Sequence, residues 1–262
     1  GYSQNEQSSL DYAQSVDLMI LTVSGKPVKA LRYYGDTSWT IGNYDLAGGP
    51  FLPLNSGTTT MTADADGMAT TTLTASAAAF TVANIGQLVY LETKDFGKPW
   101  EVNVSVTTGD IRRAGSNFYE AQTTANTGTL RPAHTYGDYS DGAVVWRYLH
   151  NGSGIVRITG YSNATLVSVE SVTYVPEGLL SGASVASERW AMGAFGGDQG
   201  YPSKCTFYQQ RLILAATTVQ QETVWTSKVG DYSNFGKSNP LVDDDALTFT
   251  LAGKQLNHIR FM

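Results

Sequence analysis

The sequence predicts an all-β protein: a propeller-like β-sheet scaffold interrupted by an inserted small β-barrel, which itself carries a further small module. The chain contains 27 Gly and only 15% charged residues, and Thr and Ser occur throughout, as in proteins built from short strands and tight turns. Apolar and polar residues alternate over many short runs. A strand-pair pattern at 17–39 also recurs at 212–234, and repeated strand pairs are typical of propellers and similar radial arrays.

Residues 1–50 are predicted to form the first part of the scaffold. A short helix is expected around residues 10–14, ahead of the strand pair at 17–39. The Gly- and Pro-rich stretch AGGPFLPLNSG follows. This change of composition marks a boundary, because Gly and Pro favour turns over continued strand pairing.

Residues 51–97 and 153–181 are predicted to form the inserted small barrel. Thr and apolar residues alternate on both sides of Asp66-Gly67, a dipeptide favoured in two-residue type I′ turns. A second alternating strand pair at 154–175 supplies the strands that would complete the barrel.

Residues 98–152 are denser in aromatic residues and Gly, and we interpret them as an excursion from the barrel. From 182 to 262 the chain is predicted to return to the scaffold. It ends at HIRFM within an alternating segment, and we expect it to be part of a longer protein.

Residue types that catalyse reactions or bind metals show no recognisable spacing. His134, His150 and His258 lack metal-site spacing, so we interpret them as polar loop or strand residues. Cys205, the single cysteine, lies in a strand-like segment and is interpreted as a small buried apolar residue. Phosphate-loop, dinucleotide and nucleophile-elbow motifs are absent. We therefore predict that the protein is not an enzyme and has no catalytic residues, no cofactor and no metal site.

Two acidic stretches have ordinary explanations. The segment at 62–67 is weakly similar to a calcium loop, but Thr62 occupies the first ligand position and Leu73 the place of the bidentate Glu. We prefer a hairpin there. The run Asp243–Asp245 fits a solvated turn before a strand, with cation binding as the alternative.

The charge distribution argues against a protein whose main affinity is for nucleic acid. The net charge is −6, and Lys and Arg are scattered singly, whereas phosphate binding needs clustered cations. An acidic surface would repel DNA and let it slide past without adhering. No apolar run approaches the ~20 residues of a membrane helix, so we predict no membrane insertion.

Residues 109–149 resemble the small three-stranded modules, related to chitin-binding carbohydrate modules, that recur in phage tail and fibre proteins. The similarity lies in the order Gly-Asp, Phe118–Ala121, a Thr/Gly loop, 131–135, Ser-Asp-Gly at 140–142 and then Val-Val-Trp-Arg-Tyr at 144–148. The resemblance implies that Tyr119 and Trp146 face each other across the sheet. They would form the small core of the module or, if exposed, stack on a sugar ring.

The flanking segments resemble a family of tailed-phage structural proteins. The shared features are a Gly-Gly-x-x-Gly-Tyr-Pro turn at 196–202, Gln-Arg-Leu at 210–212, Thr-x-Trp at 223–225, Gly-Asp-Tyr at 230–232 and Val-Asp-Asp-Asp at 242–245. The opening strand pair matches the same family. The segments 72–91 and 154–169 are similar to the first catalytic-cysteine half-domain of ubiquitin-activating enzymes. Neither segment contains a cysteine, so that likeness concerns the barrel shape only.

These resemblances imply a structural component of a bacteriophage tail, located in the virion at the tail tip, nozzle or hub. Such a protein would close or extend the tail channel in a homo-oligomeric ring and contact other phage tail proteins, with DNA only as non-specific passing cargo. Its outward modules could meet a host-surface glycan. The alternative function is a glycan-binding adhesin module, with Trp100, Tyr119, Trp146 and Tyr148 as candidate contact residues. A depolymerase is disfavoured because no pair of catalytic carboxylates is recognisable.

Overall fold

The structure is a computed structural model that describes residues 3–64, 71–93, 97–180, 186–238, 241–252 and 258–260. These residues are nearly all in strands, turns and loops, which confirms the predicted all-β class. The predicted Asp66-Gly67 turn and the last two residues of HIRFM lie outside the described ranges.

The elements follow one another in this order along the described chain. The first are helix α1 (Gln4–Gln7) and strands β1 (Asp11–Ser15), β2 (Leu18–Val23), β3 (Lys26–Gly35), β4 (Ser38–Asn43), β5 (Met61–Asp64), β6 (Thr71–Ala75) and β7 (Leu88–Glu92). Next come β8 (Lys98–Pro99), β9 (Ser105–Val106), β10 (Ile111–Ala114), β11 (Asn117–Ala121), β12 (Ala125–Asn126), β13 (Asp138–Ser140) and β14 (Val145–His150). The last are β15 (Ser153–Asn163), β16 (Leu166–Ser171), β17 (Trp190–Met192), β18 (Lys204–Tyr208), β19 (Arg211–Ala215), β20 (Thr223–Thr226) and β21 (Thr248–Thr250).

The chain divides into two compact units. Unit 1 comprises Gly1–Pro53, Thr81–Val89 and Met192–Met262, and unit 2 comprises Leu54–Phe80 and Tyr90–Ala191. Residues 81–89, which the sequence analysis placed in the barrel, thus belong to unit 1. The buried Gln87 ties them there, because its side-chain amide donates to the Gly193 carbonyl at 2.7 Å.

The first sheet of unit 1 is an antiparallel meander in the order β1-β2-β3-β4. Alternation in β3 turns Val28 and Ala30 inward, while Leu31 and Tyr33 lie on the opposite, outer face. The helix expected at residues 10–14 is wrong: those residues fall largely in β1, and the helix lies at α1, where Ser3 and Glu6 form a capping box.

The second sheet of unit 1 is also a four-stranded antiparallel meander, in the order β18-β19-β20-β21. It shares one hydrophobic core with the first sheet. Ile20 and Ala30 from the first sheet join Leu212, Leu214 and Trp225 from the second. The two copies of the repeated strand-pair pattern therefore contribute to the same core, and burial of such apolar side chains is the main force holding two sheets together.

Unit 2 is built around a sheet in the order β17-β7-β15-β16-β6-β5, with the division between units falling inside β7 and β17. The sheet curls. Backbone hydrogen bonds join Met61 of edge strand β5 to Ser187, and Arg189 to Glu92 of β7. The segment that leads into β17 therefore bridges towards both β5 and β7, and the sheet has a partly barrel-like character.

The excursion from this sheet has its own small fold within unit 2. Its sheet runs β13-β14-β11-β10-β8, and β9 pairs with β12 in a separate ribbon. The resemblance predicts three strands, whereas this sheet has five, of which β10, β11 and β14 are central. Two short edge strands extend the sheet beyond that expectation.

Candidate functional site

Two of the four candidate glycan-contact residues are buried. Tyr119 and Trp146 have no exposed surface and pack with Val106, Ala121 and Val144. A ring with no exposed face cannot stack on a sugar, so neither residue qualifies as a contact. The structure supports the alternative considered for them, which is that they form the core of this small module.

The register of the sheet also differs from the expected one. Tyr119 pairs with Tyr148, and Trp146 pairs with Ala121, so Tyr119 and Trp146 are not direct partners. An irregularity between Phe118 and Tyr119 shifts the register there. The half-buried Tyr148 packs edge-on against Tyr119, with ring centroids 5.9 Å apart.

A buried carboxylate, missed by the sequence analysis, organises this core. Asp141 accepts hydrogen bonds from the indole N–H of Trp146 at 2.8 Å and from the backbone N–H groups of Val144 at 2.8 Å and Ala143 at 3.0 Å. Burial opposes its ionisation, but the Trp146 and backbone donors outweigh that effect and hold the pKa of Asp141 below its usual range. In sequence, Asp141 was indistinguishable from an ordinary turn residue.

Trp100, a further candidate contact, lines a pocket. The pocket has a volume of about 530 Å³, and its walls include Glu101, Arg113 and Arg131. The ring is half-buried against the module core, and its indole N–H lies 3.4 Å from the Asp141 carboxylate. The exposed Arg131 gives this pocket a cationic side chain beside an aromatic one.

A second concave surface lies on the outer face of the first sheet. We call it the outer groove. It has a volume of about 400 Å³ and is lined by Gln14, Val16, Asp17, Met19, Leu31, Tyr33, Asp36 and Trp39.

Strand pairing explains how these residues meet in the outer groove. Met19 pairs with both Gln14 and Leu31, so these three side chains form the floor. Tyr33 pairs with Trp39 and forms one end. The β1–β2 turn and the β3–β4 turn then place carboxylates beside that end. The sequence analysis did not select this site, since an aromatic residue in a predicted strand is ordinarily assigned to the hydrophobic core.

The acidic run at 243–245 has a structural role for at least one of its members. Asp245 is buried. Its carboxylate forms an ion pair with the Lys228 ammonium at 2.9 Å and accepts a hydrogen bond from the Ser238 hydroxyl at 2.7 Å. Burial opposes its ionisation, but bonds from the Val242 N–H, Ser238 and Lys228 hold the pKa of Asp245 far below its usual range.

The remaining candidates for chemistry are also engaged in packing. Cys205 is buried, as predicted, and burial raises the pKa of its thiol to about 11. His134 packs against Tyr119 and bonds the Trp146 carbonyl, while His150 stacks on Phe118. Among the described residues, no group of three or more His, Cys, Asp and Glu side chains is arranged to hold a metal ion. No helix in the same ranges is long and apolar enough to cross a membrane.

No model of a known protein family and no curated protein sequence matches this chain.

Proposed function

We propose that this protein is a structural component of a bacteriophage tail, at the tail tip, nozzle or hub, where its sheets stiffen the wall around the DNA channel. The observation that carries the proposal is the way the family-like sequence segments join in unit 1. Four of them meet in and around the second sheet, and hydrogen bonds join three of these to one another. None of them forms a reactive cluster in the described residues.

Arg211 is the centre of this arrangement. Its guanidinium donates to the carbonyls of Ser227 and Asp245, both at 2.7 Å, and to that of Asp243 at 3.1 Å. The Gln-Arg-Leu segment is thereby bound to the Val-Asp-Asp-Asp segment. The planar guanidinium can serve several acceptors in fixed positions, which suits a rigid joint.

The other segments join the same block. The N–H of Gly230 donates to the Gln210 carbonyl at 2.8 Å, which links Gly-Asp-Tyr to the β18–β19 turn. Trp225 of the Thr-x-Trp segment packs edge-on against Phe195 in the shared core, with ring centroids 5.0 Å apart. A motif set used in this way suits a mechanical role, because several of its polar groups are engaged in internal bonds.

The sheets of unit 1 also favour an array. Two four-stranded antiparallel meanders that share a core are compatible with two blades of a propeller, and propellers contain about four to eight blades. Apolar side chains remain exposed beside and along β21, at the edge of the second sheet: Leu241, Val242, Leu247, Phe249 and Leu251. We assign this edge to contact with a neighbouring tail subunit, in keeping with a homo-oligomeric ring.

The composition of isolated particles tests the proposal. Purified phage particles that encode this chain should be separated into heads and tails, and peptides of the chain quantified by mass spectrometry in each fraction. The proposal predicts enrichment in tails in a fixed ratio to the other tail proteins. Absence from particles, or equal recovery with heads, would contradict it.

A glycan-binding adhesin is the second candidate function, and the Trp100 pocket favours it. An aromatic side chain beside Arg131 suits a sugar that bears a carboxylate. Arrays of acidic bacterial polysaccharides should then bind the chain, and Trp100→Ala and Arg131→Ala should each abolish that binding. Binding that survives both substitutions would exclude this pocket.

A further inference from the structure

The outer groove points to a ligand that neither the scaffold role nor the Trp100 pocket accounts for. The position of Trp39 is the first indication. In the second copy of the repeated pattern, the first aromatic residue after Gly-Asp is Tyr232, which packs against the core of unit 1, and the next, Phe235, is buried in that core. In the first copy it is Trp39, which is 58% exposed. The aromatic residue after Gly-Asp is therefore exposed in the first copy, whereas its counterparts in the second copy pack in the core.

The exposed ring of Trp39 is held in place before any ligand arrives. It packs against Tyr33, with ring centroids 4.8 Å apart and an interplanar angle of 51°. Tyr33 in turn donates its hydroxyl proton to Asp36 at 2.7 Å. An aromatic surface fixed by its neighbours loses little conformational entropy when a ligand binds.

The polar groups of the groove are hydrogen-bond acceptors. Asp17 and Asp36 supply carboxylates, and Gln14 donates one of its two amide N–H groups to the Val16 carbonyl, while its amide oxygen can accept. Among the described residues that line the groove there is no Lys or Arg. These groups suit a ligand with several hydroxyl donors and no negative charge.

Backbone strain at the edge of the groove is an independent indication. Val16 has φ +51° and is 82% exposed. Positive φ is a rare conformation for a β-branched residue, and the first position of a tight hairpin turn with positive φ normally favours Gly. Strain of this kind is concentrated at binding and active sites.

We propose that the outer groove binds a neutral hexose unit of a glycan. The apolar C–H face of the sugar would stack on Trp39 and cover Met19, while its hydroxyl groups donate to Asp36, Asp17 and Gln14. A small cation would satisfy the carboxylates but leave the apolar floor uncovered. An acidic sugar would be repelled. The binding goes beyond the scaffold role and does not depend on it.

Saturation-transfer NMR on the full chain tests this binding. The probes are cellohexaose, maltohexaose, mannohexaose and chitohexaose, with trilysine as a cationic probe. Wild-type protein should transfer saturation to at least one neutral oligosaccharide. Trp39→Ala should weaken its affinity roughly tenfold or more. Asp36→Asn, which keeps an acceptor for Tyr33 but removes the charge, should weaken it less.

Tyr34→Ala is the matched control. Tyr34 is also an exposed aromatic residue on β3, but it lies on the opposite face from Tyr33. This variant should bind within about twofold of wild type, and circular dichroism should show that all three variants are folded. No transfer to any oligosaccharide, equal binding by Trp39→Ala, or transfer to trilysine alone would overturn the proposal. None of these results bears on whether the chain is found in phage tails.

Discussion

Replacing Asp141 with Asn should open the small module that contains β8–β14 without unfolding the rest of the chain. One carboxylate oxygen accepts the two backbone N–H bonds of the 141–144 turn, and the other accepts the indole N–H of Trp146. Asparagine can supply only one of these acceptors. If its oxygen remains with the turn, its NH₂ group points at the indole N–H, and two donors then face each other.

The magnitude follows from these contacts. A hydrogen bond to a charged group contributes about 1.5–3 kcal/mol, and a buried donor left unpaired costs about 1–3 kcal/mol. The two effects overlap, so we expect Asp141→Asn to lower the free energy of opening by about 2–4 kcal/mol. Asp138→Asn is the control, because its ion pair with Arg147 is exposed and should contribute less than about 1 kcal/mol.

Hydrogen exchange measured by mass spectrometry reports the module separately from the rest of the chain. Peptides from 97–152 should lose protection in Asp141→Asn, while peptides from the second sheet of unit 1 keep theirs. If Asp141→Asn and Asp138→Asn exchange alike across 97–152, the account of this core is wrong.

The other predictions concern the cores and the charged joints. Trp146→Ala should cost the module about 3–5 kcal/mol by leaving a cavity, and a normal urea midpoint would contradict its burial. Arg211→Lys should lower the free energy of unfolding in urea by about 1–3 kcal/mol, because a single ammonium cannot hold three carbonyls in fixed positions. Unchanged stability would show that the Arg211 bonds do not stabilise unit 1. At pH 8, Cys205 should react roughly a hundredfold more slowly with a thiol reagent in folded than in urea-unfolded protein, and equal rates would show that it is accessible. Asp245 has a lowered pKa when folded, so its contribution is complete above its unfolded pKa and lost as the pH falls through the folded value. The stability difference between wild type and Asp245→Asn should therefore be smaller below about pH 4 than at pH 7. A difference that stays constant over this range would refute the assignment.

The fold class could be predicted from alternation and turn residues, because these patterns are local properties of strands. The common face of Val144, Trp146 and Tyr148 also followed from the period of two residues in a strand. The pairing of Tyr119 with Tyr148 did not, since an irregularity between two residues of β11 shifts the register and leaves no mark in composition.

The candidate site was harder to predict because exposure is a property of the whole fold. Trp39 and Phe235 follow the same Gly-Asp pattern, yet Phe235 is buried and Trp39 is exposed. The role of Asp141 depends on two indole groups that the chain brings to it from residues 100 and 146. Sequence spacing could not indicate either arrangement. The burial of Tyr119 and Trp146 excludes them as glycan contacts.

The position of the chain in a phage particle tests the central claim most directly. Particles that encode the chain should be incubated with a gold-labelled antibody raised against it and viewed by electron microscopy, with antibody adsorbed on purified chain as the control. We expect the gold-labelled antibody to bind at the end of the tail, around the channel axis. Gold on the capsid, or no labelling of tails that bind an antibody to another tail protein, would contradict it.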